Sequence, residues 1–555
     1  MADRLGALVR EYQSERVGRR EFIKRCVALG ISLTAAANLA AACAPATTPS
    51  AAPGASSTAK SGGQFVFVDG TDAVTLDPHA SPDVGYSFNL IRAPAEALVE
   101  YVVKPDGSTD VGPRLAKSWK TTDSVVWDFE LNQGIKFHDG TPFNAAAAKA
   151  NFDRILALKL GPAGRLGAVS RVEAVGDNAL RITLPGPNAN FIWPMTQMLM
   201  ISPTALQANA GSDNGQKWAA ENVVGTGPFL ISSRTKGSET IMKRFDGYWR
   251  GWTGNHVDSV VVKVAKEATT RRLMLERGEA QVANNIAVTD LAPLESNKDI
   301  AVSHVQGPGV QMAAARFRGP LKDVNVRQAI TYAFDAEGFI KGAMQGRGDL
   351  ARGLVYTEFR FFNKDIPSIK QDLAKAKSFL SKSATPNGGF ELTLLILPGF
   401  APYQTDMAQV WQENLKQLNI KLNIQPMTDV NVYYASVEDE QRGADLWAWN
   451  GAAQTPDHNF QARRQWHTDF KRPRGVNGGY TNPRLDALLD KDLATVDDNG
   501  KRQIWEEVQK ILFDDMPFIP FFIPLNYWVS RKGVAGVPQN RFDLVPNYYN
   551  IYLTS

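Results

Sequence analysis

A chain of 555 residues is too long for one hydrophobic core, so we expect two or three domains. Hydrophobic residues make up 44% and charged residues 21%, which is typical of a globular protein. The net charge is +4, and residues 1–42 carry most of it through seven basic and four acidic side chains. The nearly neutral remainder gives no electrostatic reason to expect nucleic-acid binding.

The N-terminal segment has the features of an export leader. Its Gly-Arg-Arg-Glu-Phe-Ile-Lys stretch resembles the twin-arginine export motif. The motif residues are Arg19, Arg20, Phe22 and Lys24. The weakly apolar run that follows, 26–42, is too short and too polar for a membrane span but suits a cleavable leader. We therefore expect residues 1–42 to direct export. The alternative is an amphipathic N-terminal helix whose arginines are adjacent by chance.

A cysteine closes the leader. The stretch Leu-Ala-Ala-Ala-Cys, which ends at Cys43, resembles a bacterial lipoprotein processing site. The resemblance implies that the Cys43 thiol receives a diacylglyceryl group. Ala40 stands where such sites usually have leucine, so plain cleavage of the leader stays open. Residues 43–63 contain no large apolar side chain and predict a flexible tether. Because Cys26 is the only other cysteine, the globular part has neither a disulfide framework nor a cysteine-bound zinc.

Strand and helix patterns alternate from residue 64 onward. Apolar runs with strand propensity occur at 64–68, 127–131, 180–184 and 420–424. Helical periodicity predicts a helix capped by Asn144 that runs to about Leu158, a second capped by Thr405, and a third over 504–512. No short internal repeat occurs, so the fold class is α/β or α+β.

The sequence lacks familiar catalytic motifs: it has no Gly-x-Ser-x-Gly elbow, Walker loop or His-Glu-x-x-His. The segment from Gly225 to Phe229 is glycine-rich, but Pro228 removes a backbone donor and no phosphate-binding lysine follows, which favours a turn. The six histidines lack ligand spacing, and His458 alone is weak support for a metal chelate. We expect no enzymatic activity, cofactor or metal.

Several segments carry a family resemblance, and they occur in order along the chain. They are Thr75–His79, Leu115–Trp119, Gly134–Phe143, Val224–Phe229, Tyr248–Gly251, Val326–Ile330, Tyr480–Pro483 and Asp515–Pro520. Together they resemble the family 5 extracytoplasmic solute-binding proteins, the dipeptide, oligopeptide and nickel receptors of ABC transporters. Within the most specific segment, His138 to Pro142 reads as a turn that holds the fold, after which Asn144 caps a helix.

The resemblance implies a two-lobed periplasmic-binding-protein-like α/β fold of class II type. Lobe I would comprise residues 64–95, 224–315 and 521–555, with an inserted subdomain, 96–223, packed on it. Lobe II would comprise 316–520. Two crossovers, near Arg316 and Phe521, would form the hinge by which the lobes close on a solute.

The charged anchors of peptide-binding relatives are missing at the matching positions. In those relatives an aspartate meets the peptide's ammonium, and an ungapped alignment places Ala452 there. Dipeptide receptors also use an arginine before a Pro-Tyr pair, where this chain has Ala401 before Pro402. We predict that the protein does not bind free dipeptides, because a buried terminus without a counter-charge is unfavourable. A shift of the alignment would let Asp457 substitute.

The remaining candidate ligand contacts are aromatic and amide groups. They are Phe88, Tyr403, Trp447, Trp449, Asn450, Gly451 and Ala452. Flat aromatic faces with amide partners suit sugars, apolar solutes or a peptide held by its backbone. The alternative for Trp447 and Trp449 is that they share one strand face and pack in the core.

These features predict an extracytoplasmic receptor that captures a small organic or peptide-like solute and delivers it to an ABC permease and its ATPase. We expect a monomer, held at the membrane by a lipid alone. The alternatives are a sugar or metal-chelate receptor of the same family, a solute sensor without a permease, and a secreted hydrolase, for which the sequence displays no nucleophile.

Overall fold

The computed structural model describes Cys26, Ala401 and residues 62–81, 87–104, 109–307, 309–398, 403–439, 443–451, 455–469, 477–537 and 545–554. The chain divides into two compact units, Met1–Thr58 and Ala59–Ser555. Cys26 is the one residue described in the first unit. The predicted export residues Arg19, Arg20, Phe22 and Lys24, and the lipidation site Cys43, lie outside the described residues.

The strands of the second unit are β1 (Gln64–Asp69), β2 (Glu96–Ala97), β3 (Val99–Val103), β4 (Thr109–Pro113), β5 (Ala116–Thr121), β6 (Val126–Leu131), β7 (Arg171–Val175), β8 (Ala179–Thr183), β9 (Leu199–Met200), β10 (Phe229–Thr235), β11 (Glu239–Arg244), β12 (Ser259–Val264), β13 (Val282–Ala283), β14 (Ile300–Gln306), β15 (Gln311–Ala315), β16 (Gly348–Leu350), β17 (Phe390–Ile396), β18 (Ile420–Pro426), β19 (Leu446–Asn450), β20 (Phe518–Arg531), β21 (Val534–Ala535) and β22 (Tyr552–Leu553).

The α-helices are α1 (Phe88–Ile91), α2 (Ala145–Leu158), α3 (Gly161–Leu166), α4 (Pro203–Ala208), α5 (Gln216–Ala219), α6 (Ala268–Glu276), α7 (Val288–Glu295), α8 (Val324–Ala333), α9 (Ala336–Lys341), α10 (Leu373–Leu380), α11 (Gln404–Lys416), α12 (Val430–Glu438), α13 (Asn459–Trp466), α14 (Pro483–Ala494) and α15 (Asp498–Asp515). Short 3₁₀ helices span Pro194–Gln197, Gly319–Lys322 and Tyr548–Asn550.

One large mixed sheet organises the body. In the described part its strand order is β10-β11-β12-β1-β13-β20-β15-β19-β17-β18, and β14 and β16 also pair with β20. The first half-sheet comprises β10 to β13 with β1, β14 and the end of β20, and in it β1 runs parallel to β12 and β13. The second half-sheet comprises β15 to β19 with the start of β20, and in it β17 runs parallel to β18 and β19. The predicted α/β class is confirmed, with strands and helices alternating along the chain.

Strand β20 belongs to both half-sheets. Its residues Leu525–Arg531 pair with β14, and its start at Phe518–Phe522 pairs with β15. Where the pairing changes, the Gly307 N–H donates to the Pro524 carbonyl at 3.0 Å. The predicted domain bounds stay predictions. This pairing favours crossovers between β14 and β15 and near Pro524, rather than at Arg316 and Phe521.

The centre of the second half-sheet, at β15 and β19, is buried on both faces. In β15, Ala313 and Ala315 pack in one hydrophobic cluster, while Met312 and Ala314 pack in another on the opposite face. Successive side chains of a strand point to opposite faces, so a strand between two cores is apolar throughout.

The segment 96–223 forms a sheet of its own, with strand order β5-β6-β8-β7. The predicted alternation is confirmed in β6, where Trp127 and Phe129 are buried. Asn144 caps α2 as predicted, accepting from the Ala147 N–H at 3.0 Å, and the helix ends at Leu158.

Two family motifs contact each other in the fold. His138 Nε2 lies 2.9 Å from the Gly227 carbonyl, and the His138 N–H donates to the Gly225 carbonyl at 2.8 Å. A Cβ on Gly225 would lie 2.0 Å from the Pro94 carbonyl oxygen, so these glycines allow two backbone segments to approach closely. The segment bends at 226–228 and packs closely against the backbone of Ala93 and Pro94, which its glycines permit.

The predicted cap of α11 is wrong. The helix begins at Gln404, after Tyr403, and no side chain caps it. Gln404 is buried and its Oε1 accepts from the Leu397 N–H at 2.8 Å, which ties the first helical residue to the end of β17. The third predicted helix, over 504–512, lies within α15.

Candidate functional site

The carboxyl ends of the parallel strands define two polar edges. β1 and β13 end at Asp69 and Ala283, and β17 and β19 end at Ile396 and Asn450. Ligands of open α/β sheets bind at the carboxyl ends of the strands, where the connecting loops leave a crevice. The candidate solute site is therefore sought at these two edges.

At the first edge, a buried carboxylate is surrounded by side-chain amides. Asp69 accepts hydrogen bonds from the amides of Asn89 at 2.9 Å, Asn285 at 3.2 Å and Asn284 at 3.4 Å. Burial raises the pKa of Asp69, while the hydrogen bonds from Gly70 and the asparagines lower it. Asn89 Oδ1 is buried and has no hydrogen-bond partner among the described residues.

At the second edge, Tyr403 is held in place by a buried glutamine. The Tyr403 hydroxyl donates to Gln311 Oε1 at 3.1 Å, and Gln311 Nε2 donates to the Trp449 carbonyl at 3.2 Å. Gln311 is fully buried. These two hydrogen bonds join the end of β19 to the start of α11 through the side-chain amide of Gln311.

Around the end of β19, several buried polar groups have no partner in the described ranges. Trp449 Nε1, Asn450 Oδ1 and both amide atoms of Gln465 make no hydrogen bond within the described ranges. Gln465 is fully buried in α13, and a Cβ on Gly451 would lie 3.2 Å from its Nε2. An unpaired buried amide is unfavourable by about 1–3 kcal/mol. Such groups are therefore expected where a ligand or an ordered water supplies the missing hydrogen bonds.

The two predicted tryptophans lie in the core of the second half-sheet. Trp447 is 1% and Trp449 is 9% exposed, and both belong to one hydrophobic cluster. The Arg316 guanidinium lies 5.3 Å from the Trp447 ring and the Arg464 guanidinium 5.4 Å from the Trp449 ring. Both tryptophans therefore pack in the core, and the indole N–H of each is buried without a partner in the described ranges.

Phe88 is fully buried in the core of the first half-sheet, so its role as a ligand contact stays a prediction that its burial does not favour. Asn450 is half-buried and Gly451 is buried. Ala452, the position matching the family's aspartate, lies outside the described residues, and Ala401 is buried.

Asp457, the acidic residue nearest Ala452 in sequence, is part of a separate buried network. Its Oδ1 accepts from the Asn459 N–H at 3.1 Å at the start of α13. Burial, followed by the charge of Asp492, raises its pKa to about 7, and Lys501 opposes that effect.

His458 lies in an aromatic cage instead of a polar site. The rings of Tyr356, Phe359, Trp466 and Trp505 surround it at 5.4 to 6.3 Å between centroids. Burial lowers its pKa to about 3, so the ring is neutral near pH 7. Within the described ranges, no group of three or more His, Cys, Asp or Glu side chains is placed to hold a metal ion.

Sequence reasoning missed Gln311, Gln465, Asn89 and the pair Asn284-Asn285. The asparagine pair follows β13 directly, and an amide-rich turn after a strand is a signal that could have found it. Gln311 and Gln465 give no such signal, because a glutamine in a strand or helix reads as a solvent-facing residue.

Comparison with known proteins identifies the family. The family model described as "Bacterial extracellular solute-binding proteins, family 5 Middle" matches residues 110–469. The probable D,D-dipeptide-binding periplasmic protein DdpA of Escherichia coli K12 is 28% identical over 490 residues, which cover 86% of this chain and 92% of that protein. The glutathione-binding protein GsiB of Escherichia coli O6:K15:H31 is 29% identical and covers 84% of this chain and 90% of its own length.

A solved structure has the same fold. DppA from Helicobacter pylori, an ABC transporter-associated periplasmic binding protein in complex with the peptide STSA, superposes with a TM-score of 0.78 at 22% identity. The superposition covers 89% of this chain and 99% of DppA. The two-lobed periplasmic-binding-protein fold predicted from the motifs is confirmed.

The chain belongs to the bacterial extracellular solute-binding proteins, family 5. It is a solute-binding receptor, as the motifs predicted, and the members of this family are binding proteins rather than enzymes. Within the described ranges, none of the helices combines the length and apolar character that crossing a bilayer requires.

Proposed function

We propose that this receptor delivers a peptide-like solute to an ABC importer and holds it by its backbone amides, without charged anchors for its ends. The unpaired buried atoms of Gln465, which lies next to Gly451, and of Trp449 and Asn450 at the end of β19 carry the proposal. An indole N–H, an amide oxygen and a whole carboxamide together supply donors and acceptors that match peptide N–H and C=O groups.

The nature of the relatives supports a peptide-like solute. DdpA is described as a D,D-dipeptide-binding protein and GsiB as a glutathione-binding protein. At the two positions that the ungapped alignment assigns to charged anchors of peptide-binding relatives, this chain has Ala401 and Ala452. A solute with free termini would leave its charges without partners there, whereas a blocked, conjugated or longer peptide would not.

Titration calorimetry with matched peptides tests this function. The probes are short peptides with free ends and the same peptides acetylated and amidated. We expect the blocked peptides to bind at least tenfold more tightly, a difference of about 1.4 kcal/mol. Preferential binding of the free dipeptides would contradict the proposal.

A pair of glutamine variants locates the site. Gln465→Met removes the unpaired carboxamide at nearly constant volume, so it should weaken peptide binding while the solute-free protein becomes more stable. Gln509→Met is the matched control, because buried Gln509 is fully bonded to Phe361, Asn363 and Trp505. We expect the control to lose stability and to retain peptide affinity.

We also propose that the receptor is monomeric, that it acts without enzymatic turnover, and that a lipid on Cys43 holds it at the outer face of the membrane after twin-arginine export. The tether over 43–63 would let the body move while one end is fixed. Mass spectrometry of the mature N-terminal peptide tests the lipid. A diacylglyceryl mass on Cys43 is expected, and an unmodified N-terminus at another residue would contradict it.

A further inference from the structure

A loop of the inserted segment reaches across to lobe II. The side chain of Asn190, in the segment 96–223, donates through Nδ2 to Asp492 Oδ2 at 2.9 Å and accepts through Oδ1 from Lys501 Nζ at 2.9 Å. The neighbouring Ala189 N–H donates to the Leu493 carbonyl at 2.7 Å. One amide thus binds an acid in α14 and a base in α15.

The receiving side is a buried polar network. Asp492 is fully buried, and it also accepts from Asn459 Nδ2 at 2.8 Å and from Trp505 Nε1 at 3.0 Å. Lys501 is 8% and Asn190 is 7% exposed. A buried charge pair requires all its neighbours, so removal of Asn190 would leave both charged groups short of a partner or open to water.

The loop that carries Asn190 is fixed in its own subdomain. Phe191 is fully buried and packs against Trp127, with 5.6 Å between ring centroids. The Asn188 N–H donates to the Ser124 carbonyl at 2.9 Å, and Asn188 Oδ1 accepts from the Asn190 N–H at 3.0 Å. The loop therefore moves with the inserted subdomain as one piece.

Helix α13 links this contact to the candidate solute site. Its first residue, Asn459, bonds to Asp492 in the network, and Gln465, six positions later, lies beside Gly451 at the end of β19. A solute that fixes Gln465 therefore acts on the same rigid helix that supports the network.

We infer that Asn190, Asp492 and Lys501 form a clasp that favours the closed arrangement of the two lobes and raises the affinity for solute from a distance. This inference rests on the proposed receptor function only because it requires the lobes to close. It does not depend on which solute is bound. The residues act by positioning the lobes, and none of them is assigned a contact with solute.

Measurements on the solute-free protein test the clasp. Small-angle X-ray scattering and hydrogen–deuterium exchange would be compared for the wild type, Asn190→Ala and Asn190→Leu. We expect both variants to have a larger radius of gyration than the wild type. We also expect faster exchange in the first turns of α15, with little change in β1 and β12. Asn190→Leu keeps the branched shape and number of heavy atoms of the side chain, and Asn190→Ala removes them, so a shared result isolates the lost hydrogen bonds.

Asn144→Ala is the control variant. It removes the N-cap of α2 in the same subdomain without touching lobe II, so it loosens the subdomain alone. The clasp would be overturned if the Asn190 variants had the same radius of gyration and exchange rates as the wild type. An equal increase in the radius of gyration of Asn144→Ala would also overturn it. Because no solute is present, failure of peptide binding leaves this test intact.

Discussion

At the scale of single residues, Asp457 combines two roles that oppose each other. Its carboxylate accepts from the Asn459 N–H at the start of α13, which favours the charged form. Burial and the nearby charge of Asp492 disfavour that form, and their effect is larger, because the pKa rises from 3.8 to about 7. The acid beside the clasp is therefore partly protonated near neutral pH.

The raised pKa of Asp457 predicts how stability depends on pH. The unfolded chain releases this proton near pH 3.8 and the folded protein near pH 7. Stability from this group is thus present below about pH 4 and declines as the pH rises toward 7. Asp457→Asn should remove this decline, since the asparagine side-chain oxygen accepts the same hydrogen bond while the side chain stays neutral. Urea unfolding at about pH 5 and about pH 8 measures the difference in free energy of unfolding.

The control is Asp497→Asn, which changes an exposed cap of α15 that accepts from the Gly500 N–H. It should leave the pH dependence as in the wild type. If Asp457→Asn and the wild type lose stability equally between the two pH values, the titration of Asp457 does not govern this part of the profile.

At the scale of elements, the sequence predicted the helices and strands whose apolar residues repeat with a single helical or strand periodicity. Helix α2 with its Asn144 cap, helix α15 and strand β18 all have a single buried face, and all three are found as predicted. The turn that begins at His138 was also predicted, since glycine and proline fix it locally. Local signals suffice where the structure is determined locally.

The candidate site is different because both faces of its strand are buried. Leu446 to Trp449 are all buried, so alternation along β19 could not tell which of its side chains lie at the candidate site. Helix α13 raises a similar problem, since Gln461 and Gln465 are buried polar residues that a hydrophobic pattern assigns to the surface. Family motifs located the region, and tertiary contacts alone identified Gln465.

At the scale of the whole molecule, lobe closure as proposed here is an equilibrium between two arrangements that share β20. The strand pairs with β14 in one half-sheet and β15 in the other, so the halves are joined through backbone near Pro524 while the solute edges lie on separate parallel strands. A change at the Asn190 clasp shifts this equilibrium without altering either edge. The apparent affinity for any solute falls in proportion to the population of the binding-competent state.

The clasp and the solute site can therefore be separated by comparing several ligands. Asn190→Ala should lower the affinity for every solute by one common factor, because the variant lowers the population of the closed state and leaves the contacts with solute unchanged. Gln465→Met should instead change the order of affinities, because it removes a carboxamide that pairs with particular peptide amides. Calorimetry with a blocked peptide and its singly N-methylated forms measures both effects. Asn190→Ala should keep the wild-type penalty for each N-methyl group, whereas Gln465→Met should abolish the penalty at one position. A changed pattern in Asn190→Ala would place Asn190 in contact with solute, and an unchanged pattern in Gln465→Met would remove Gln465 from the site.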